Sequence, residues 1–158
     1  MLWLLDFDGS GPAGGTREAL TVWRSADGAW SRAYAEATSA PGPGWTALET
    51  LQSAPGPAAQ AVPAFHYVVE TDVAPEHEAD FNAWYEQEHL PGLASVPGTV
   101  RAARYRRQQG QPRYLACYDL TAIETLERPE WLAVRHTAWS SRIRPLFVNP
   151  RRTMFTRP

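Results

Sequence analysis

The stretch that decides the fold is Phe81-Asn-Ala-Trp-Tyr-Glu-Gln-Glu-His-Leu-Pro91, which is followed by Val96-Pro97-Gly98. It predicts the end of a helix, on which Tyr85 and His89 are four residues apart and therefore share one face. The Leu-Pro pair is expected to stop that helix, and the Pro-Gly pair is expected to turn the chain into a strand. A tyrosine and a histidine presented together beside an apolar sheet can hold and protonate a small molecule.

The residues after position 63 follow a clear strand and helix pattern. The predicted order is a strand, a helix, two strands, a helical region broken at Pro129, and a last strand. The ranges are 64–70, 75–89, 99–107, 113–120, 121–137 and 151–156. This β-α-β-β-α-β order predicts an α+β fold, the split βαβ unit of ferredoxin-like proteins.

The first part of the chain reads as a shortened copy of the second. Gly28–Ala35 and Trp45–Leu51 align with the strands at 99–107 and 113–120 at a nearly constant offset, and Thr16–Trp23 aligns as a truncated first helix. We therefore expect a degenerate ferredoxin-like half at 1–53, a linker at 54–63 and a second half at 64–158, with no fourth strand in the first copy. Each sheet has one face that its helices leave bare, so the halves are expected to pair within the chain or across a homodimer as an α+β barrel.

Composition restricts the partners and the compartment. The formal charge is -2, with 15 basic and 17 acidic residues, which argues against nucleic acid as a partner. A single cysteine, Cys117, allows no disulfide within the chain, so a reducing cytoplasm is expected. No apolar run is long enough to cross a membrane, and no membrane partner is expected. Many aromatic residues suit a core or a pocket for a flat apolar ligand.

The motif Trp84-Tyr85-x-x-x-His89-x-Pro91, with Pro97-Gly98 opening a strand, resembles that of EthD-like proteins of the dimeric α+β barrel superfamily. The resemblance covers about residues 64–156. It implies a sheet-walled pocket, and the superfamily includes small cyclases, isomerases and cofactor-free monooxygenases, so it implies no single chemistry. The first 63 residues lack this motif, which predicts one functional pocket per chain.

Three residues are the candidates for catalysis. His89 is suited to acid or base chemistry, and its alternative role is to cap the end of the helix. Tyr85 is a hydrogen-bond donor to a ligand, or else a core aromatic with its hydroxyl at the rim. His66 shares a strand face with Val68; it is a second proton-transfer candidate if that face lines the barrel, and a core histidine if it meets the helices.

Three further residues are expected to bind a ligand: Trp84, Arg104 and Tyr118. Arg104 lies on the strand face of Val100 and Ala102, from which it would reach an anionic group, or it lies on a solvated face. No spacing of ligands typical of a metal site is present, so no metal is expected.

Two functions from different classes remain open. The first is a cofactor-independent enzyme of the cyclase, isomerase or monooxygenase type, which acts on a small apolar aromatic or polyketide-like compound. The alternative is a non-catalytic ligand-binding or structural dimeric barrel protein. A haem-degrading monooxygenase ranks last, since it rests on the superfamily alone. No cofactor is expected.

Overall fold

A computed structural model describes residues 1–9 and 20–158, and in it eight antiparallel strands close into a barrel. The strands are β1 Leu2–Phe7, β2 Leu20–Ser25, β3 Ser31–Glu36, β4 Thr46–Pro55, β5 Phe65–Asp72, β6 Thr99–Arg107, β7 Tyr114–Leu120 and β8 Val148–Thr156. Around the barrel they follow the order β1-β3-β2-β8-β5-β7-β6-β4, and β4 pairs with β1 to close it.

The helices are short and cover the outer face of the second half of the barrel. They are α1 Glu78–Trp84, α2 Leu90–Ala94, α3 Pro129–Arg135 and α4 Ala138–Ile143. A π-helical turn at Tyr85–His89 joins α1 to α2, and single 3₁₀ turns cover Pro75–His77, Ile123–Glu127 and Arg144–Leu146. Within the described ranges, no helix is long and apolar enough to cross a membrane.

The predicted ferredoxin-like α+β fold is confirmed, and the barrel closes within one chain. Strands β5 to β8 lie in the order β8-β5-β7-β6, which is the fourth, first, third and second strand of a split βαβ sheet. Strands β1 to β4 repeat that order as β4-β1-β3-β2. The two sheets join through the pairs β2–β8 and β4–β6, so each closes the open edges of the other.

The prediction for the first half was wrong in its details. The expected helix at Thr16–Trp23 is a strand from Leu20 onward, and its first four positions lie outside the described residues. Trp23 and Ser25 are buried while the residues between and beside them are not, so β2 follows the two-residue period of a strand. The first-half sheet does have a fourth strand, β4. Gly28–Ala35 contributes to the third strand of this sheet and not to the second. Trp45–Leu51 contributes to the fourth strand and not to the third. The boundaries 1–53, 54–63 and 64–158 stay a prediction, although β4 runs to Pro55.

The expectation that Leu90-Pro91 stops the helix was also wrong. The chain continues into α2, and Pro91 lies in its first turn, where a missing N–H costs little. The π-helical turn ends immediately before α2. The Leu90 N–H donates to the Tyr85 carbonyl, five residues earlier in the chain. The Pro97-Gly98 turn is confirmed: Gly98 has φ +98°, and a Cβ at this position would collide with the Thr125 side chain.

One end of the barrel interior holds a buried network of charges. The Glu70 carboxylate is fully buried; it accepts hydrogen bonds from Arg107 at 2.7 Å, from Arg32 at 3.2 Å and from Arg151 at 2.8 Å. Arg32 is also paired with Asp6 at 2.6 Å. Burial raises the pKa of Glu70, but the three guanidinium charges outweigh it and hold the pKa below its usual value. Glu70 is therefore ionised inside the barrel.

We expect Glu70→Gln to lower the free energy of unfolding by about 3–5 kcal/mol, because it leaves three arginines facing each other without their shared carboxylate. Urea denaturation followed by circular dichroism measures this. The matched control is Glu49→Gln, which removes an ion pair to Arg106 on the surface and should cost about 1 kcal/mol or less. Equal losses in the two variants would contradict the structural role of the network.

Candidate functional site

A small cavity lies between the outer face of the second-half sheet and the helices that cover it. Its volume is about 50 Å³, enough for a few waters or one small chemical group. Strands β5 and β7 supply its floor and the helices supply its walls. The aromatic residues that line it include Tyr67, Trp84, Tyr118, Trp131 and Phe147. The predicted residues Trp84, Tyr85, His89 and Tyr118 all line this space, which we call the cleft.

The π-helical turn sets the arrangement of the motif residues in the cleft. The His89 imidazole stacks on the Trp84 indole, with ring centres 4.1 Å apart and planes at 25°. Residues five apart do not overlie each other on an α-helix, but the wider turn brings them together. The Tyr85 ring meets the edge of His89 at 5.3 Å. The turn therefore fixes the imidazole on an aromatic support beside a phenol.

Three polar atoms around the cleft are buried and have no hydrogen-bond partner among the residues that the structure describes. They are Trp84 Nε1, His89 Nδ1 and the Tyr118 hydroxyl. An unpaired buried polar group costs about 1–3 kcal/mol, so such groups are normally paired with protein, water or ligand. Water in the cavity, or the polar edge of a small molecule, can supply the missing partners.

The protonation states in the cleft follow from burial and from the arginines nearby. Burial, with the charges of Arg144 and Arg135, lowers the pKa of His89 to about 3. Burial raises the pKa of Tyr85 to about 12. At neutral pH the imidazole is therefore uncharged and able to accept a proton, whereas the phenol keeps its proton and can donate a hydrogen bond.

Three arginines form the mouth of the cleft: Arg135, Arg144 and Arg152. None of them lies within ion-pair distance of a carboxylate in the described part of the chain. Burial lowers the pKa of Arg144, and the charges of Arg135 and Arg152 lower it further, as expected where three cations lie close together. An anionic group at the mouth would relieve that repulsion. Neither these arginines nor the aromatic walls from the later helices carried a recognisable sequence motif.

Arg104 lies beneath the cleft rather than in it. Its face of β6 meets α1, as Ala102 on the same face does, and its side chain is 3% exposed. The guanidinium donates to Asn82 Oδ1 at 2.6 Å and lies 4.3 Å from the centre of the Tyr85 ring. It supports Tyr85 from below by a cation–π contact. A direct contact between Arg104 and a ligand stays a prediction that this position does not favour.

His66 lies on the opposite face of the sheet from His89 and Tyr85, inside the barrel. Its Nδ1 is 2.7 Å from Asp119 Oδ1, and its Nε2 is 2.9 Å from the Tyr34 hydroxyl. Sequence reasoning missed both partners, because Asp119 reaches His66 only through the register of β5 and β7 and Tyr34 comes from the other half. No group of three or more His, Cys, Asp or Glu in the described ranges could hold a metal ion.

Comparison with known proteins supports the fold and leaves the family open. No protein-family model and no curated protein matches the sequence. Among solved structures, the chain is similar to a heme-degrading enzyme from Listeria monocytogenes, with 11% identity, a TM-score of 0.65, and 99% of each chain covered. It is similar to a ferredoxin-fold protein related to antibiotic biosynthesis monooxygenases, also from Listeria monocytogenes, with 12% identity, a TM-score of 0.66, and 100% and 95% covered.

A third similar structure is an anthrone oxidase-like protein, with 13% identity, a TM-score of 0.63, and 99% of this chain and 91% of that chain covered. At these identities the likeness concerns the fold. It extends over both sheets of the barrel, because nearly the whole of each chain is covered. The fold is therefore a ferredoxin-like α+β barrel.

We expect the His89 imidazole to stay neutral in the folded protein from pH 8 down to pH 5. The pKa of His89 is about 3 in the folded protein and about 6.5 in the unfolded chain. The contribution of His89 to the free energy of unfolding is therefore complete above pH 6.5 and is lost as the pH falls from about 6.5 towards about 3. NMR of imidazole-labelled protein would follow the titration, and His89→Gln would identify the signal. A His89 signal that titrates near pH 6.5 would contradict the buried neutral state.

Proposed function

We propose that this chain is a small cofactor-independent enzyme that acts on a flat, acidic aromatic compound held at the cleft. The observation that carries the proposal is a neutral histidine with an unpaired buried nitrogen in an aromatic cavity, beneath a mouth of three arginines. The motif that resembles EthD-like proteins supplies Trp84, Tyr85 and His89 to this cavity. Because the cavity is small, it would receive the reacting edge of the ligand while the rest lies across the mouth.

Nearby charges explain how His89, a weak base in the empty cleft, becomes a stronger base when a ligand is bound. His89 has a low pKa because it is buried beside Arg135 and Arg144. A ligand that develops negative charge between the imidazole and the arginines would replace this repulsion with attraction, which raises the basicity of His89. The histidine would then take a proton from an acidic C–H or O–H of the ligand. Tyr118, whose hydroxyl is unpaired, would donate to the oxygen that gains the charge.

The reaction class that fits this arrangement is oxidation of an activated methylene by dioxygen. His89 removes a proton from the CH₂ group, and the resulting carbanion gives electrons to O₂. The balance is R₂CH₂ + O₂ → R₂C=O + H₂O, in which the substrate supplies all the electrons. The similarity to an anthrone oxidase-like protein and to a relative of antibiotic biosynthesis monooxygenases supports this class.

Haem chemistry, suggested by the similar heme-degrading enzyme, does not fit the cleft. A space of about 50 Å³ has no room for a macrocycle. The homodimer stays a prediction. Its motivation was a bare sheet face, and the chain covers that face itself by closing the barrel.

Anion binding at the mouth gives a direct test of the ligand class. We expect 2-naphthoate to quench tryptophan fluorescence and to bind about tenfold more tightly than its neutral analogue 2-naphthamide, since only the carboxylate pairs with the arginines. Arg144→Gln should remove most of this preference. Arg142→Gln is the control, because Arg142 is paired with Asp80 on the surface nearby. Equal affinity for the two ligands would count against a site for anionic compounds.

Turnover is tested with anthrone as the probe, by oxygen uptake and by the appearance of anthraquinone. We expect His89→Asn to lower kcat by about 100-fold or more, the usual contribution of a general base. His77→Asn is the control, because His77 lies in the turn before α1, outside the cleft. If naphthoate binds but wild-type protein consumes no oxygen with anthrone, the oxidase proposal fails and a non-catalytic binding protein is the better description.

A further inference from the structure

The barrel interior contains a second set of polar groups that the proposed function does not use. His66 and Asp119 are direct cross-strand partners on β5 and β7, with Nδ1 and Oδ1 2.7 Å apart. The hydroxyl of Tyr34, on β3 of the other sheet, lies 2.9 Å from His66 Nε2. The three residues form a chain of hydrogen bonds that we call the relay.

The direction of the hydrogen bonds in the relay follows from the charge on Asp119. Burial raises the pKa of this carboxyl, but the hydrogen bond from His66 and the charge of Arg101 outweigh it, so the pKa is below its usual value and the group is ionised. An ionised carboxylate only accepts, so His66 Nδ1 carries a proton, and in the neutral imidazole Nε2 is then the acceptor. Tyr34 therefore donates its proton to Nε2, and the free lone pair of its oxygen is left to accept.

Aromatic contacts hold the histidine of the relay in place. The Trp23 indole stacks on the imidazole at 5.1 Å and 14°, and Phe155 lies against it at 5.9 Å. Further charged or titratable groups among the described residues surround the relay. They are Arg101 on Asp119, Cys117 3.8 Å from the Tyr34 hydroxyl, Arg32, whose charge acts on Tyr34, and Glu36, Tyr105 and Arg157 on the cavity wall. A rigid imidazole with one fixed tautomer is suited to receive a proton from Tyr34.

The relay faces a cavity of about 720 Å³ at the end of the barrel opposite the Glu70 network. This is within the range of about 300–1,000 Å³ typical of small-molecule sites. Tyr34, His66 and Asp119 all line it, and its apolar wall consists of Leu2, Leu20, Trp23 and Pro63. Charged groups lie on the same wall, namely Glu36, Arg101 and Arg157. A space of this size, with aromatic and polar side chains at its wall, is suited to a small aromatic molecule that carries polar groups.

We propose that the barrel interior is a second binding site, which takes a small phenol or enol and accepts its proton. The hydroxyl of the ligand donates to the oxygen of Tyr34, because that oxygen has already committed its own proton to His66. When the ligand ionises, its O–H bond breaks and its proton goes to the Tyr34 oxygen, while the Tyr34 proton moves to His66 Nε2. The products are a bound phenolate and an imidazolium neutralised by Asp119. This site lies across the sheet from the cleft and does not rest on the proposed function.

The probe is 4-nitrophenol, whose phenolate absorbs visible light. At a pH below the pKa of the free phenol, we expect wild-type protein to bind it and to increase the phenolate absorbance. Tyr34→Phe should lower the affinity about tenfold, and His66→Gln should remove the excess phenolate absorbance because glutamine cannot take the proton. Tyr114→Phe is the control, since the Tyr114 hydroxyl donates to Glu78 outside the barrel and Tyr114 does not line this cavity.

The location of the bound probe is tested without disturbing the core. Ser53 is exposed and lies at the wall of the barrel cavity, so Ser53→Trp should fill the entrance and abolish nitrophenol binding while leaving the binding of 2-naphthoate to the cleft unchanged. The proposal is overturned if wild-type protein does not bind 4-nitrophenol, or if Ser53→Trp binds it as well as wild type. Unchanged affinity and spectrum in Tyr34→Phe and His66→Gln would overturn it equally, and the relay would then be a structural network of the core.

Discussion

The ionised Glu70 carboxylate inside the barrel is the constraint on which the architecture depends. It lies on β5 and binds arginines from β3, β6 and β8, so it joins the two sheets and crosses the pseudo-repeat. A buried carboxylate is tolerated only with full compensation, and three guanidinium groups supply it. Because the arginines can be satisfied only when both sheets are in place, this network requires the barrel to be closed at that end. The same closure leaves the other end of the interior for apolar residues and the relay.

The alternation of side chains along β5 and β7 makes two sites from one pair of strands. Tyr67 and Tyr118 point outward to the cleft, whereas their neighbours His66 and Asp119 point inward to the relay. A slip of one residue in either strand would exchange these faces. The register is fixed on both sides at once, by the helix-covered aromatic cluster outside and by the charged network inside. Substitutions at one face are therefore expected to affect the other mainly through stability, since none of the described side chains lines both sites.

The sequence was informative where local chemistry decides the structure and uninformative where long-range pairing decides it. The period-two pattern of 99–107 predicted β6 to the residue. The Pro97-Gly98 pair predicted the turn before it, and in the structure Gly98 has a backbone conformation that few other residues adopt. The identity of β2 as a strand was missed, since Thr16–Trp23 was aligned to a helix. The cleft was half predicted: the motif gave Trp84, Tyr85 and His89, but its arginines come from later elements that only the fold brings together.

The misjudged proline shows why local rules fail at a functional site. Pro91 would ordinarily end a helix. Here the π-helical turn before it absorbs the loss of a hydrogen bond, and the same turn places His89 on Trp84 rather than one position further round the helix. The π-helical turn is an irregularity that costs some backbone stability. It is also the feature that directs the His89 imidazole at the cavity. The first half lacks the motif and, in its described residues, has no helix over its sheet, so the chain builds this cleft once although it builds the sheet twice.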